Sequence, residues 1–189
     1  WCTPDSSRYL SRHFVQHIAM MSPVQPETRN QKLETTQSER LRITEIFYSL
    51  QGEARTAGCP TVFIRLTCCP LRFTYCDTEY AFYGGQWMEI GEILKRVAEH
   101  APRYVTVTGG EPLAQRPCRD LLKALCEQGY EVSLETGGAL DIAGIDPRVS
   151  IVMDLKTPGS GEERRNLYAN IPHLAGKDQV KFVISDRAD

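Results

Sequence analysis

Hydrophobic positions settle into a regular pattern only from Leu41 onward. Leu41-Arg-Ile-Thr-Glu-Ile-Phe-Tyr48 alternates loosely and predicts a strand, as does Thr61-Val-Phe-Ile-Arg-Leu66. Ile90, Ile93, Leu94, Val97 and Ala98 recur at the spacing of one helix face. Tyr104-Val-Thr-Val-Thr108 predicts a buried strand, and Leu121, Leu122, Leu125 and Cys126 mark a second helix closed by Gly129. Glu131–Glu135, Val149–Asp154 and Gln179–Ile184 predict further strands. Strands alternating with amphipathic helices imply βαβ units, hence an α/β fold with a mostly parallel sheet. In such sheets functional residues gather where the strands end. Thr108-Gly-Gly-Glu-Pro112, Glu135-Thr-Gly-Gly138 and Asp154-Leu-Lys-Thr-Pro158 each follow directly after a predicted strand.

Residues 1–40 lack that pattern. The run from Ser22 to Arg40 is polar and almost free of aromatic and branched residues, which predicts disorder. The chain opens on Trp1, whereas Met20 and Met21 are more usual starts, so the first residues read as extraneous. His13 and His17 stand at i, i+4 spacing, which on a helix can grip a metal. With no other ligand nearby, a solvated tail is the simpler reading. A length of 189 residues suits about one folded domain. The net charge of -2 gives no electrostatic reason to expect nucleic acid as a partner. No apolar run approaches the ~20 residues needed to span a bilayer, and the opening residues lack the layout of a secretory signal. The expected location is cytoplasmic, with no membrane partner.

The seven cysteines are Cys2, Cys59, Cys68, Cys69, Cys76, Cys118 and Cys126. An odd count, with Cys68, Cys69 and Cys76 close together, suits a metal-binding loop in a reduced compartment better than a disulfide framework. An iron–sulfur cluster with one open iron needs three thiolates from a short loop. Cys69 and Cys76 have the outer separation of Cys-x3-Cys-x2-Cys, but the middle place holds Phe73, which has no donor atom. Zinc on Cys68, Cys69 and Cys76, or three incidental thiols, are alternative readings of the loop alone, although adjacent cysteines rarely both reach one metal. In Thr108-Gly-Gly-Glu-Pro112 the two glycines let backbone approach a ligand and Glu111 can anchor the turn; a Gly-Gly pair alone is also an ordinary turn.

Together these segments carry a resemblance. Leu50-Gln-Gly-Glu53, Gly58-Cys-Pro-Thr-Val-Phe-Ile-Arg65, Cys76-Asp-Thr78, Val107-Thr-Gly-Gly-Glu-Pro-Leu113, Ser133-Leu-Glu-Thr136, Asp154-Leu-Lys-Thr-Pro-Gly-Ser160 and Gln179-Val-Lys-Phe-Val-Ile184 stand in the order seen in 7-carboxy-7-deazaguanine synthases. These are radical S-adenosylmethionine (SAM) enzymes of queuosine and 7-deazapurine biosynthesis. The resemblance covers residues 41–189 and implies a partial, trimmed (β/α) barrel of the radical SAM type. It implies conversion of 6-carboxy-5,6,7,8-tetrahydropterin to 7-carboxy-7-deazaguanine with loss of ammonia, by a lyase using a 4Fe–4S cluster, SAM and Mg²⁺. It further implies a homodimer and an electron donor such as flavodoxin. By position, Cys69 and Cys76 match cluster ligands; Thr78, with Asp77, matches the Mg²⁺ site; Gly109, Gly110, Glu111, Ser133 and Lys156 match the SAM site. Gln51, Glu53 and Arg65 match residues holding the pterin. An amide and a carboxylate suit an amino-pyrimidinone edge, and a guanidinium suits the substrate carboxylate.

Three departures from the family pattern matter. Phe73 replaces the middle ligand, which implies impaired activity in this chain. Cys68 stands where the family has glycine. Relatives also continue for some tens of residues that close the substrate site, so the core is expected to be truncated at its C-terminus. Two other functions compete: a radical-generating activase, which Gln51-Gly-Glu53 and Asp77-Thr78 disfavour, and a cluster-free relative that binds ligand or partner without catalysis, which Phe73 favours.

Overall fold

The computed structural model describes residues 40–187 and 189. The expected disorder before Arg40 and the His13/His17 pair lie outside the described residues. Seven strands form one sheet: β1 (Arg40–Leu50), β2 (Pro60–Leu66), β3 (Gln86–Glu89), β4 (Tyr104–Gly109), β5 (Glu131–Thr136), β6 (Ser150–Asp154) and β7 (Gln179–Lys181), in the order β3-β1-β2-β4-β5-β6-β7. From β2 to β7 every pairing is parallel, whereas β3–β1 and β1–β2 are antiparallel. The mostly parallel α/β sheet expected from the sequence is therefore present, with an antiparallel margin that the pattern did not disclose.

Alternation along the strands sorts side chains onto two faces. Val62, Ile64 and Leu66 of β2, Val105 and Val107 of β4, and Val132 and Leu134 of β5 join one buried cluster. Against it pack α1 (Ile90–Ala98), through Ile93 and Val97, and α2 (Cys118–Glu127), through Leu121, Leu122 and Leu125. Leu125 has no exposed surface, and its truncation to alanine costs about 2–5 kcal/mol. α2 ends where Gly129 takes φ +86. The Gly129 N–H then donates to the Cys126 carbonyl and the Tyr130 N–H to that of Leu125, satisfying carbonyls the helix leaves open. The opposite parity carries Phe63 and Arg65, Thr106 and Thr108, Ser133 and Glu135, and Val152 and Asp154.

Three local features depart from the sequence pattern. β1 has a bulge between Ile43 and Glu45, so Ile43 faces Leu66 but Glu45, rather than Thr44, faces Arg65. β3 is a short edge strand paired to the start of β1. β7 pairs only over Gln179–Lys181, shorter than the predicted 179–184, because the Val183 carbonyl turns to the hydroxyls of Thr157 (2.9 Å) and Tyr75 (3.4 Å). No helix among the described residues is long and apolar enough to cross a membrane.

Candidate active site

The sheet face away from the helices opens on a cavity of about 460 Å³ at the carboxyl ends of β2, β4, β5 and β6. Its lining draws together residues far apart in sequence: Gln51 and Glu53 after β1, Arg65 on β2, the cysteine loop, Gly109 at the end of β4 with Gly110 after it, and Lys156 after β6. Of the site residues expected from the sequence, Cys69, Phe73, Cys76, Asp77 and Thr78 also line it, whereas Glu111 and Ser133 do not.

Protein contacts tie down the cysteine loop. The Arg72 N–H donates to Glu162 (2.8 Å), its guanidinium donates to the carbonyls of Cys69 and Leu71, and it lies 4.1 Å over the Phe82 ring. The Thr74 N–H and hydroxyl donate to the carbonyls of Ser160 and Gly159. Burial pushes the Cys69 thiol up, while the Leu71 N–H, donating to Sγ at 3.4 Å, acts the other way. Phe73 offers the cavity a ring instead of a sulfur, and the Lys156 ammonium sits 3.9 Å from its centroid. Cys68 does not line the cavity: its N–H donates to the Ala81 carbonyl and its carbonyl accepts from Glu111. Its φ of +78 is the left-handed region that favours glycine. Two cysteine side chains therefore reach the cavity, and no group of three or more potential metal-binding side chains is found among the described residues.

The Gly-Gly-Glu turn works differently from the simple expectation that its glycines clear space for a ligand. A Cβ on Gly110 would lie 2.2 Å from the Cys68 carbonyl oxygen, and one on Gly109 would lie 2.3 Å from that of Leu66. Both glycines let the turn press against the chain leading into the cysteine loop. Glu111 points into the protein with no exposed surface. Its Oε1 accepts from Leu113 N–H (3.0 Å), its Oε2 from Gly137 N–H (2.7 Å), and the Thr136 hydroxyl lies 2.9 Å from both oxygens. This carboxylate ties the end of β4 to the end of β5.

The polar groups lining the cavity are bonded to one another. Buried Gln51 donates from Nε2 to Thr106 Oγ1 (3.2 Å) and Glu135 Oε1 (3.1 Å), and its Oε1 accepts the Glu53 N–H. Thr108 donates to the other oxygen of Glu135 (2.8 Å). Glu53 pairs with Lys181 at 2.6 Å; partial burial opposes the Lys181 charge, yet this ion pair holds the ammonium above its ordinary range. Lys156 pairs with Asp154 Oδ2 at 2.7 Å, and Asp154 Oδ1 is buried without a partner among the described residues. Thr78 donates to Asp77 at 2.7 Å, which brings two hard oxygen donors together at the rim. Arg65 donates from Nε to Glu45 (2.7 Å) and lies 5.8 Å from the centroids of Phe47 and Tyr80. The sequence reading missed Thr108, Glu135, Asp154 and Lys181. The first three end strands or begin the segments flagged for following strands, so a signal for them was present.

Comparison with known proteins accords with this geometry. A family model described as the radical SAM superfamily matches residues 63–155. The 7-carboxy-7-deazaguanine synthase of Koribacter versatilis is 44% identical over 151 residues, covering 79% of this chain and 67% of the relative. That of Chlorobaculum tepidum is 44% identical over 152 residues (79% and 69%), and that of Thermoplasma acidophilum 40% identical over 149 (78% and 71%). The crystal structure of QueE from Escherichia coli superposes with a TM-score of 0.61 at 21% identity, covering 78% of this chain and 76% of that one, a likeness of fold. The chain belongs to the 7-carboxy-7-deazaguanine synthase family, within the radical SAM superfamily.

Proposed function

We propose that the cavity binds 6-carboxy-5,6,7,8-tetrahydropterin and SAM for conversion to 7-carboxy-7-deazaguanine, and that Phe73 impairs this reaction in the chain. The observation supporting the reading is the convergence of Gln51, Arg65 and Glu135 with the cysteine loop and the Gly-Gly turn around one cavity. Gln51 and Glu53 take the amino-pyrimidinone edge of the pterin, and the Arg65 fork takes its carboxylate. Backbone at Gly109 and Gly110, with Lys156, holds SAM, and Asp77 with Thr78 holds Mg²⁺. Ser133 and Glu111 act through their neighbours, Ser133 by its 2.9 Å hydrogen bond to Thr106 and Glu111 by fixing the turn.

Membership of the superfamily implies a 4Fe–4S cluster and SAM. The residues present do not fit that cluster: Cys69 and Cys76 are two of the three thiolates it requires, Phe73 has no donor atom, and Cys68 does not line the cavity. Anaerobic iron–sulfur reconstitution tests this directly. The unaltered chain should incorporate little iron and form no product, whereas Phe73→Cys should take up ~4 irons with the broad absorption of a 4Fe–4S centre. Equal iron in the two proteins refutes the impairment and points to Cys68 as a working ligand. The Lys156 ammonium stacked on Phe73 supports a second reading, in which the chain binds pterin as a cluster-free relative without catalysis. Pterin binding by the metal-free chain, without turnover in either protein, is the result that selects it. In the active case the chain is a homodimer served by a flavodoxin-like electron donor.

A further inference from the structure

The bulge in β1 has a chemical consequence beyond the reading above, on which it rests. Regular pairing after Ile43–Leu66 would set Thr44 opposite Arg65 and turn Glu45 toward the helices. The extra residue instead brings Glu45 into register with Arg65 and Phe47 with Phe63. The rings of Phe47 and Phe63 stack at 5.0 Å and 11°, which fixes this stretch of β1 against β2. Glu45 Oε1 then accepts from Arg65 Nε at 2.7 Å and from the Tyr80 hydroxyl at 2.8 Å. Arg65 is 17% exposed and Glu45 39%, and Glu45 does not line the cavity that Arg65 lines.

A guanidinium can present two edges to a carboxylate, the Nε side or the outer pair of Nη atoms. Glu45 occupies Nε, and among the described residues neither Nη has a hydrogen-bond partner. The rings of Phe47 and Tyr80, each 5.8 Å away, limit where the guanidinium can lie. We infer that Glu45 is a positioning residue for pterin specificity: it holds Arg65 by Nε so that the Nη edge is presented to the carboxylate on C6 of a pterin. The groups facing Glu45 are Arg65 from β2 and Tyr80 from the turn Glu79–Ala81.

Two roles for Glu45 predict opposite signs. Its negative charge near an anion site should, if charge alone mattered, weaken binding of a carboxypterin, so its removal would tighten it. Positioning predicts the reverse. The test is fluorescence titration of the full chain with 6-carboxypterin, and with 6-methylpterin as a probe lacking the carboxylate. Glu45→Ala should weaken 6-carboxypterin binding about 10-fold, the lower end of what losing an orienting partner costs, and leave 6-methylpterin unchanged. Glu45→Gln keeps an acceptor for Nε and should restore binding to within about 3-fold of the parent. Arg65→Ala should lose more than Glu45→Ala, and the double variant should bind no worse than Arg65→Ala. Unchanged or tighter 6-carboxypterin binding by Glu45→Ala, with Arg65→Ala still impaired, overturns the positioning role and leaves the pterin site standing. If Arg65→Ala also binds like the parent, or the parent binds neither probe, the pterin reading fails and this inference with it.

Discussion

Glu111 offers a sharp test because its neighbours leave a substitute nowhere to turn. Glu111→Gln keeps the shape of the side chain and replaces one oxygen with NH₂. Each carboxylate oxygen accepts a backbone N–H, from Leu113 on one side and Gly137 on the other. Whichever way the amide lies, its NH₂ meets an N–H, so one buried donor loses its acceptor. A hydrogen bond to a charged group contributes about 1.5–3 kcal/mol, and an unsatisfied buried donor costs about 1–3 kcal/mol. Relief from burying a charge offsets part of this, which leaves a net loss of about 2–3 kcal/mol at neutral pH. For a chain of this size that lowers Tm by roughly 4–12 °C. Burial pushes the Glu111 carboxyl above its ordinary range, against the pull of its N–H and hydroxyl donors. The folded protein thus holds that proton more tightly than the unfolded chain. The contribution of this titration is complete below the ordinary carboxylate range and is lost as pH rises through the raised value. Glu111→Gln has no such titration, so its deficit against the parent should shrink as pH rises through that window. Urea unfolding followed by circular dichroism at several pH values measures both effects. A variant within about 0.5 kcal/mol of the parent at neutral pH would show that these hydrogen bonds add little to stability and refute the role of Glu111 as the tie between β4 and β5.

Other substitutions test neighbouring parts of the site. Lys156→Met leaves Asp154, 14% exposed, with Lys181 at 3.9 Å as its nearest cation, and should cost about 3 kcal/mol in denaturant unfolding; a loss below 1 kcal/mol speaks against a buried pair. Cys68→Gly removes a side chain from a left-handed position and should raise stability by about 1 kcal/mol, so a lower denaturation midpoint contradicts the strain. Gly110→Ala drives a Cβ to 2.2 Å from the Cys68 carbonyl oxygen and should cost about 1–3 kcal/mol while exposing Cys69 and Cys76 to thiol reagents. Unchanged labelling rates would show that the turn and the loop move independently.

Much of this site was legible in the sequence because strands impose a parity that side chains cannot evade. Once Val105 and Val107 are taken as core, Thr106 and Thr108 must face the other way, and the same holds for Leu134 beside Glu135. The segments after β4, β5 and β6 could therefore be placed around one site before any distance was known. What escaped the pattern depends on non-local geometry. The bulge at Ile43–Glu45 inserts one residue into a periodicity that reads smoothly through it, so Glu45 looked like an ordinary polar position. Gly-Gly-Glu reads as ligand-facing, yet the space a Gly110 Cβ would need is filled by Cys68, and Glu111 by its own geometry faces Thr136 and Gly137. The short β7 follows from hydroxyls of Thr157 and Tyr75 claiming the Val183 carbonyl, a choice made between residues distant in sequence.

The cysteine loop is held by protein contacts on both sides of Phe73. The loop hangs on Arg72, which reaches Glu162, two carbonyls and the Phe82 ring, and on Thr74 and Tyr75, which reach the segments after β6 and β7. Phe73 joins that scaffold, packing at 5.4 Å on Tyr75 and lying beneath the Lys156 ammonium. An aromatic ring in a half-buried polar cavity gains from both contacts what a bare thiol there would not. Phe73 is therefore accommodated by the folded loop. Gln51, Arg65, Thr108 and Glu135 meanwhile keep hydrogen bonds of their own, none of them to the cysteine loop.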